Sequence, residues 1–483
     1  MPGKVWLFGF ILLLLNFPIS AQTSYYGTHT LQESFHNPSS TVFDQKKECK
    51  KLVFSFLVPD IQADLSSFGP LSRSWYLVSL INKLDSGLLV SSPNPVNYLS
   101  THDEIHLSSL KFLWHSYNSS EVLLDYSIHG EGFINLSNQA LNLVPVLNNM
   151  FQNTGQLSGS RNYPNILNSK SYAYVYSEFG IGYRENRGED FSWGFHAAYL
   201  DGILANKFTI NQSNLSLGNP NALLQLQGSF LIKKPFTSDS SYQGLSSIRT
   251  YLPNFTNPGI KFSAGFTYKT DTNARISLNF QDLGIIHWKS GKSFGSVDSI
   301  LYTLDHPFNL RKEAKSQYKS FYKDLGYSSF NTLLPLKVEG FYEQGISPHW
   351  RAGLGFNKYV FTPEGNIELI NDYQLDHFHF ILNTGYNLLG NFKMGLNLIY
   401  RNSWIETYIG SNNLFPSLNF PGQLRGTQFQ GNSSAISVNF GLAFRIGNCF
   451  KIQNQTDMRL KGPYPFFQRI FQRKPTKYEE SRP

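Results

Sequence analysis

Residues 260–281 read IKFSAGFTYKTDTNARISLNFQ, and the order of side chains in this stretch decides the fold. Ile260, Phe262, Ala264, Phe266 and Tyr268 hold alternate positions, with Lys261, Ser263, Gly265, Thr267 and Lys269 between them. After Thr270-Asp271-Thr272-Asn273 the alternation resumes, setting Ile276, Leu278 and Phe280 against Arg275, Ser277, Asn279 and Gln281. Successive side chains of a strand point to opposite faces, so a period of two gives one apolar and one polar face. Two such runs joined by a short polar turn predict a β-hairpin.

The same period recurs along the chain. Phe191, Trp193, Phe195, Ala197 and Tyr199 oppose Ser192, Gly194, His196 and Ala198. Trp350, Ala352, Leu354 and Phe356 form another run, and Phe378, Phe380, Leu382 and Tyr386 a third. Phe392 to Tyr400 and Ile436 to Ile446 repeat it towards the C-terminus, with Asn439 on the polar face and Phe440 on the apolar one. A soluble sandwich turns its apolar faces into a core, whereas a membrane barrel turns them out to lipid. Length separates the two. The runs cover roughly ten to fourteen residues, against about five or six for soluble strands and about ten for a tilted membrane strand. Aromatics close many runs (Trp193, Tyr199, Tyr268, Trp350, Tyr386, Tyr400), as interfacial girdles do.

Composition agrees. Of 483 residues 41% are apolar, 15% aromatic and 15% charged, where an average domain carries about 25% charge. The aromatic share argues against disorder. After residue 16 no run approaches the ~20 apolar residues of a membrane helix, so strands must carry any crossing. The sequence therefore predicts an all-β, transmembrane antiparallel β-barrel of about 14 strands, with an N-terminal plug-like segment and short helices in loops.

Residues 1–21 read as a signal peptide, with Lys4 ahead of the apolar run Val5 to Leu15 and a cut before Gln22. Residues 22–51 are polar and do not alternate, and are expected as a plug or periplasmic segment. The barrel is expected over 52–448, and 449–483 as a further strand at Phe450–Leu460 with a basic tail. Helices are predicted at Leu136–Phe151 and Asn309–Leu325, and long loops at 234–258 and 411–432. Cys49 and Cys449 are too few for a disulfide framework, and both paired and unpaired states fit the sequence.

Several segments resemble a family of outer-membrane barrels from Bacteroidota of unknown function, similar in architecture to the long-chain fatty-acid transporter barrels. The resemblance rests on Phe35-His36-Asn37-Pro38-Ser39, on Tyr126–Asn138, on Thr407–Leu414 and Asn439–Gly447, and above all on Tyr176–Ala205 (YSEFGIGYRENRGEDFSWGFHAAYLDGILA). It implies an outer-membrane location, a hatch formed by the N-terminal segment, and a turn at Asn37-Pro38. The chain departs from the pattern in continuing past Gly447.

The polar face carries Arg184, Arg275, Arg351, Arg401 and Arg445, with Lys261 and Lys337, and the acids Glu131, Glu178 and Glu339. Two arrangements fit: a cationic pore, or Arg/Glu pairs bracing a filled lumen. No Gly-x-Ser-x-Gly elbow selects a catalytic serine among the many Ser and His residues. His377-Phe378-His379 places two imidazoles on one strand without a third ligand, which does not make a metal site. No catalytic residue, metal site or cofactor is predicted. The partners expected are outer-membrane lipid and either a small hydrophobic ligand or other envelope proteins, with no role for nucleic acid. The functions that fit are passage of a hydrophobic or amphiphilic small molecule, an envelope or secretion scaffold, and a membrane-embedded lipid hydrolase.

Overall fold

A computed structural model describes residues 28, 30–39, 52–56, 58–68, 96–115, 120–137, 161–165, 168–187, 190–217, 221–233, 251–252, 255–270, 274–294, 297–303, 326–388, 392–414 and 433–446. Nineteen strand segments form one sheet. Several are collinear pieces of a single stave, and the staves close as an antiparallel barrel of 14 strands. The first stave joins β1 (Leu52–Ser55) to β2 (Asp60–Phe68), and β3 (Val96–His115) and β4 (Ser120–Ser137) follow. The next are β5 (Arg161–Pro164) with β6 (Ser169–Arg187), then β7 (Phe191–Leu217), then β8 (Asn221–Lys233) with β9 (Pro258–Lys269). After them come β10 (Ala274–Phe294) with β11 (Val297–Thr303), and β12 (Gly326–Leu333) with β13 (Lys337–Ser347). Single segments complete the wall: β14 (Trp350–Tyr359), β15 (Gly365–Leu375), β16 (Phe378–Asn387), β17 (Phe392–Arg401), β18 (Ile405–Ser411) and β19 (Ser433–Ile446). β19 pairs with β2 from Ser433↔Phe68 to Phe440↔Ile61 and with β1 at Phe444↔Phe54, so the last stave meets the first. Connections 188–190, 270–273, 348–349, 376–377 and 402–404 lie at one end, and the longest, 69–95, 138–160, 304–325 and 412–432, belong to the other, as in membrane barrels.

The β9–β10 hairpin shows what the period of two does. Tyr268 pairs with Ile276, Thr267 with Ser277 and Phe266 with Leu278. Ile260 is 67% and Phe266 43% exposed, while Thr267 is 1% and Asn279 1%. Leu354, Phe356, Ile367, Leu369, Phe380 and Ile409 are likewise exposed, and Glu343, Glu368, Asp372, Asn383 and Asn397 are buried. Polar inside and apolar outside inverts a soluble domain, and it suits a wall whose outer solvent is hydrocarbon. The sandwich is excluded.

A bulge in β10 shows how the parity can shift. The β9–β10 ladder shifts between Phe280 and Leu283, with Asp282 at φ 63°. A bulge adds one unpaired residue, and Asp tolerates the left-handed region better than most side chains. Up to the bulge the buried positions Ser277, Asn279 and Gln281 are odd; beyond it the even positions Ile286 and Trp288 are buried, each fully.

Three expectations change. Leu136 and Ser137, predicted to begin a helix, end strand β4, and the remainder of 136–151 lies outside the described residues, as do Asn309–Leu325, Phe450–Leu460, both cysteines and residues 1–21. The helix in the described residues belongs to the N-terminal segment, not to a loop. Several staves are longer than ten to fourteen residues: β7 has 27, β10 21 and β3 20. About ten residues cross the hydrocarbon, and the remainder continues the ladder beyond it.

The wall yields a direct test. Phe440 lies on the outer face, 37% exposed, whereas Asn439 is fully buried and donates to Asn397 Oδ1 at 3.0 Å. Phe440→Arg should cost about 2–4 kcal/mol if it sits near mid-bilayer, and Phe440→Leu should be tolerated. Heat-modifiable gel migration measures the folded fraction, and equal fractions for the two variants would contradict a lipid-facing Phe440. Asn439→Arg, which the polar face alone would allow, is also expected to impair assembly, because no space surrounds the Asn439 side chain.

Candidate binding site in the barrel lumen

A short helix stands inside the barrel. Its sequence is LQESFH (α1, Leu31–His36), capped by Thr30, whose Oγ1 accepts from the Glu33 N–H at 3.2 Å. Such a cap stabilises a helix by ~1 kcal/mol, too little for six residues to stand alone. The wall supplies the rest. Glu406 accepts from the Leu31 N–H at 2.5 Å, and Arg401 Nη1 donates to the Thr28 carbonyl at 2.5 Å. Lys111 Nζ donates to the Thr30 carbonyl and Ser34 Oγ at 3.2 Å each, and Arg184 Nη2 to the Ser34 carbonyl at 3.4 Å. Further along, Gln281 Nε2 donates to the His36 carbonyl, and Gln62 Nε2 lies 2.6 Å from His36 Nε2. Asn37 Oδ1 accepts from the Ser39 N–H at 3.1 Å, making a local turn at Pro38. Ser39 then reaches Thr267 Oγ1 at 2.8 Å, and its carbonyl accepts from Ser192 Oγ at 3.0 Å. The wall opposite this turn is Gly194, where a Cβ would lie 1.9 Å from the Pro38 oxygen. Only glycine admits the plug there.

Deeper along the same strands lies a tier of imidazoles and carboxylates. His196 Nε2 is 2.9 Å from Asp125 Oδ1, and His129 Nε2 is 3.1 Å from Glu178 Oε2. Lys261 Nζ bridges Glu178 at 2.5 Å and Asp282 at 3.1 Å, the bulge having aimed Asp282 at it. Glu104 Oε2 approaches His106 Nε2 at 3.5 Å and His36 Nε2 at 3.8 Å. The Phe35 ring stacks on His106 at 3.7 Å between centroids. These groups line a small cleft between plug and wall.

Beyond that tier the lumen turns apolar. Tyr174, Tyr176, Leu200, Ile286, Trp288 and Leu334 form one buried cluster on the inward faces of β6, β7 and β10 and just beyond β12. The Tyr176 hydroxyl donates to Glu131 Oε1 at 3.0 Å and Trp288 Nε1 to Thr332 Oγ1 at 2.8 Å, so both rings are anchored. A second apolar patch on the facing wall joins Phe341, Ile370, Ile381, Ile399 and Tyr408. The stave of β8 and β9 is broken beside the first cluster, and Asn257 seals the break. Its carbonyl accepts from the Gly202 N–H at 2.9 Å, and its Nδ2 donates to the Gly202 carbonyl at 2.7 Å.

The residues singled out in the sequence are distributed as follows. Arg184 and Arg401 hold the plug, and Arg445 lies 3.9 Å from Glu406 and donates to the Asn402 carbonyl. Arg275 and Arg351 share Glu343 at 2.9 and 3.4 Å, and Arg351 also pairs with Asp372 at 2.8 Å. Glu339 pairs with Lys337 at 2.8 Å and accepts from Gln281 at 2.7 Å, and Glu178 pairs with Lys261. Asn37 and Pro38 are in the plug. Charged partners therefore meet in pairs across the inner wall. His377 and His379 do not act together: His377 is exposed in a turn, and His379 Nδ1 faces Asp372 Oδ1 at 3.1 Å. The alternation had placed His196 on the polar face, but nothing in the sequence set it against Asp125 and Glu178, because parity gives the face and not the height along the barrel.

Fold and lumen together define a plugged transmembrane β-barrel. The chain belongs to a family of unknown function, DUF5723, whose model matches residues 81–412. No curated protein matches it in sequence. Among solved structures it is similar to a deltaS2S3 mutant of the monoaromatic hydrocarbon channel TodX, at 8% identity and TM-score 0.42, covering 90% of this chain and 98% of that one. It is also similar to the Pseudomonas putida toluene transporter TodX, at 7% identity and TM-score 0.36, covering 88% and 95%. The siderophore receptor PirA from Pseudomonas aeruginosa matches at 8% identity and TM-score 0.19, covering 82% and 80%.

Gly194 tests the plug. Gly194→Ala should displace the Pro38 turn and raise single-channel conductance in planar bilayers. Gly340→Ala, at a wall glycine with nothing within 4 Å of its Cβ position, should leave conductance unchanged. Low conductance in both variants would mean that the plug does not close the lumen.

Proposed function

We propose that this protein is an outer-membrane barrel that passes an apolar or amphiphilic small molecule through a plugged lumen, without chemistry. The observation that carries this reading is the apolar tier of Leu200, Ile286, Trp288 and Leu334, faced by the apolar patch of Phe341, Ile370, Ile381 and Ile399, inside a wall whose inner face elsewhere carries many polar and charged side chains. A water-filled pore for ions or sugars has no use for a buried Trp and Ile on its inner face. An apolar solute gains about 25 cal/mol per Å² of apolar surface removed from water, so it partitions into such a layer while ions do not. The broken stave sealed by Asn257 adjoins that layer. The plug occupies the lumen in this conformation, so passage requires it to shift.

A hydrolytic role is disfavoured on geometry. The serine nearest an imidazole nitrogen among the described residues is Ser127, 2.9 Å from His129 Nε2. The same nitrogen lies 3.1 Å from Glu178 Oε2. A nitrogen whose proton is directed to a carboxylate cannot accept the serine proton, as general-base catalysis demands. The backbone amides beside Ser127 lie in the ladders with β3 and β6, so this strand offers no free oxyanion donors next to it.

Transport is tested in a Gram-negative host expressing the chain. Uptake of the apolar dye N-phenylnaphthylamine should rise several-fold over vector-only cells, while entry of a hydrophilic β-lactam stays unchanged. Trp288→Arg should return dye uptake to the vector level, and Trp288→Phe should retain it. Dye uptake at the vector level with a heat-modifiable barrel in the membrane, or equal gains for both solutes, would overturn the reading.

A further inference from the structure

The imidazole–carboxylate tier is more than a set of ion pairs. Asp125, Glu178 and His196 are all buried and offer ligand atoms within 4.8 Å of one another, each from a different strand. His196 Nε2 stands 2.9 Å from Asp125 Oδ1 and its Nδ1 3.8 Å from Glu178 Oε1, so both carboxylates converge on one ring. His106, 2% exposed, lines the same cleft, and neither of its ring nitrogens has a hydrogen-bond partner among the described residues. Its Nδ1 points to Asp125 Oδ2 at 3.9 Å. Gly180 clears the space, since a Cβ there would lie 2.3 Å from His196 Nε2 and 2.5 Å from Asp125 Oδ1.

The charges do not balance. Among the described residues, four carboxylates line the cleft and Lys261 is its one ammonium. Buried carboxylates without compensating charge are costly, so either the imidazoles carry protons or a cation belongs among them. Imidazole nitrogen combined with carboxylate oxygen favours a first-row transition dication over Mg²⁺ or Ca²⁺, which prefer oxygen alone. We propose that Asp125, Glu178 and His196 form a binding site for a divalent transition-metal ion, zinc or a chemical neighbour, with His106 as a fourth ligand, at the junction of wall and plug. Phe35 and His36 of the plug cover the site, and the ion cross-links β4, β6 and β7 beneath them. Lys261, 2.5 Å from Glu178, competes with the metal for that carboxylate.

The experiment uses the full-length barrel in detergent, stripped with chelator and titrated with Co²⁺ by calorimetry and visible absorption. One Co²⁺ per chain should bind with a ligand-field band, be displaced by Zn²⁺, and not be displaced by Mg²⁺ at the same concentration. Asp125→Asn and His196→Gln should each bind at least tenfold more weakly, an effect of the order expected for loss of a ligand contact. Heat-modifiable migration reports whether each variant is folded. Lys261→Met keeps every proposed ligand and removes the competitor, so it should bind more tightly than the parent. Absence of stoichiometric Co²⁺ binding, equal affinity in the Asp125 and His196 variants, or unchanged or weaker binding by Lys261→Met would each overturn the site and leave protonated imidazoles as the balancing charge. Dye uptake through the apolar tier is a separate readout, so failure of the metal site does not bear on transport.

Discussion

Every backbone N–H and C=O of this wall must find its partner within the wall, because hydrocarbon offers none. An unpaired group costs several kcal/mol there, and closure of β19 onto β1 and β2 removes the open edges on which such groups would lie. A closed antiparallel wall in turn obliges alternate side chains to face two different solvents. The charge-poor, aromatic-rich composition follows, since about half the strand positions meet lipid and the remainder meet a crowded lumen. The bulge at Asp282 shows how strict this is: one added residue moves Ile286 and Trp288 to the inward face and turns Asp282 towards Lys261.

The lumen is filled with compensated polarity. Removing one partner of a buried ion pair typically costs 3–5 kcal/mol, which explains why Arg275 and Arg351 converge on Glu343 and Lys337 on Glu339. The plug obeys the same rule. Its helix is held by cations of the wall, Arg401, Lys111 and Arg184, donating to its carbonyls, and by Glu406 accepting its first amide. Plug and wall are therefore complementary in hydrogen bonds as much as in shape.

Much of this was legible in the sequence. The hairpin at 260–281, the inside-out polarity and the stave number follow from counting alternate residues, since a strand's two faces are written at fixed spacing. A polar segment ahead of the wall was legible as a break in that alternation; its entry into the lumen, with a turn at Asn37-Pro38, was implied only by the family resemblance. Helix expectations fared worse: Leu136 and Ser137 continue a strand, because pairing with Asn97 and Val96 of β3 extends the ladder past the point where local pattern suggested a helix. The grouping of Asp125, Glu178 and His196 was not legible at all. Each lies on the inward face, but their common height depends on strand register, and register depends on turns, bulges and tilt that no single strand records.

The sequence alone determined the kind of wall and the two solvents it separates, because side-chain period and run length are local properties set by strand geometry. It also determined that a polar segment precedes the wall. Only the tertiary structure decided what the lumen contains: which cations hold the plug, which acids meet which imidazoles, and that an apolar tier of Trp288, Ile286 and Leu200 lies beyond them. Those contacts join residues tens to hundreds of positions apart, and they exist only once the ring is closed and its register set.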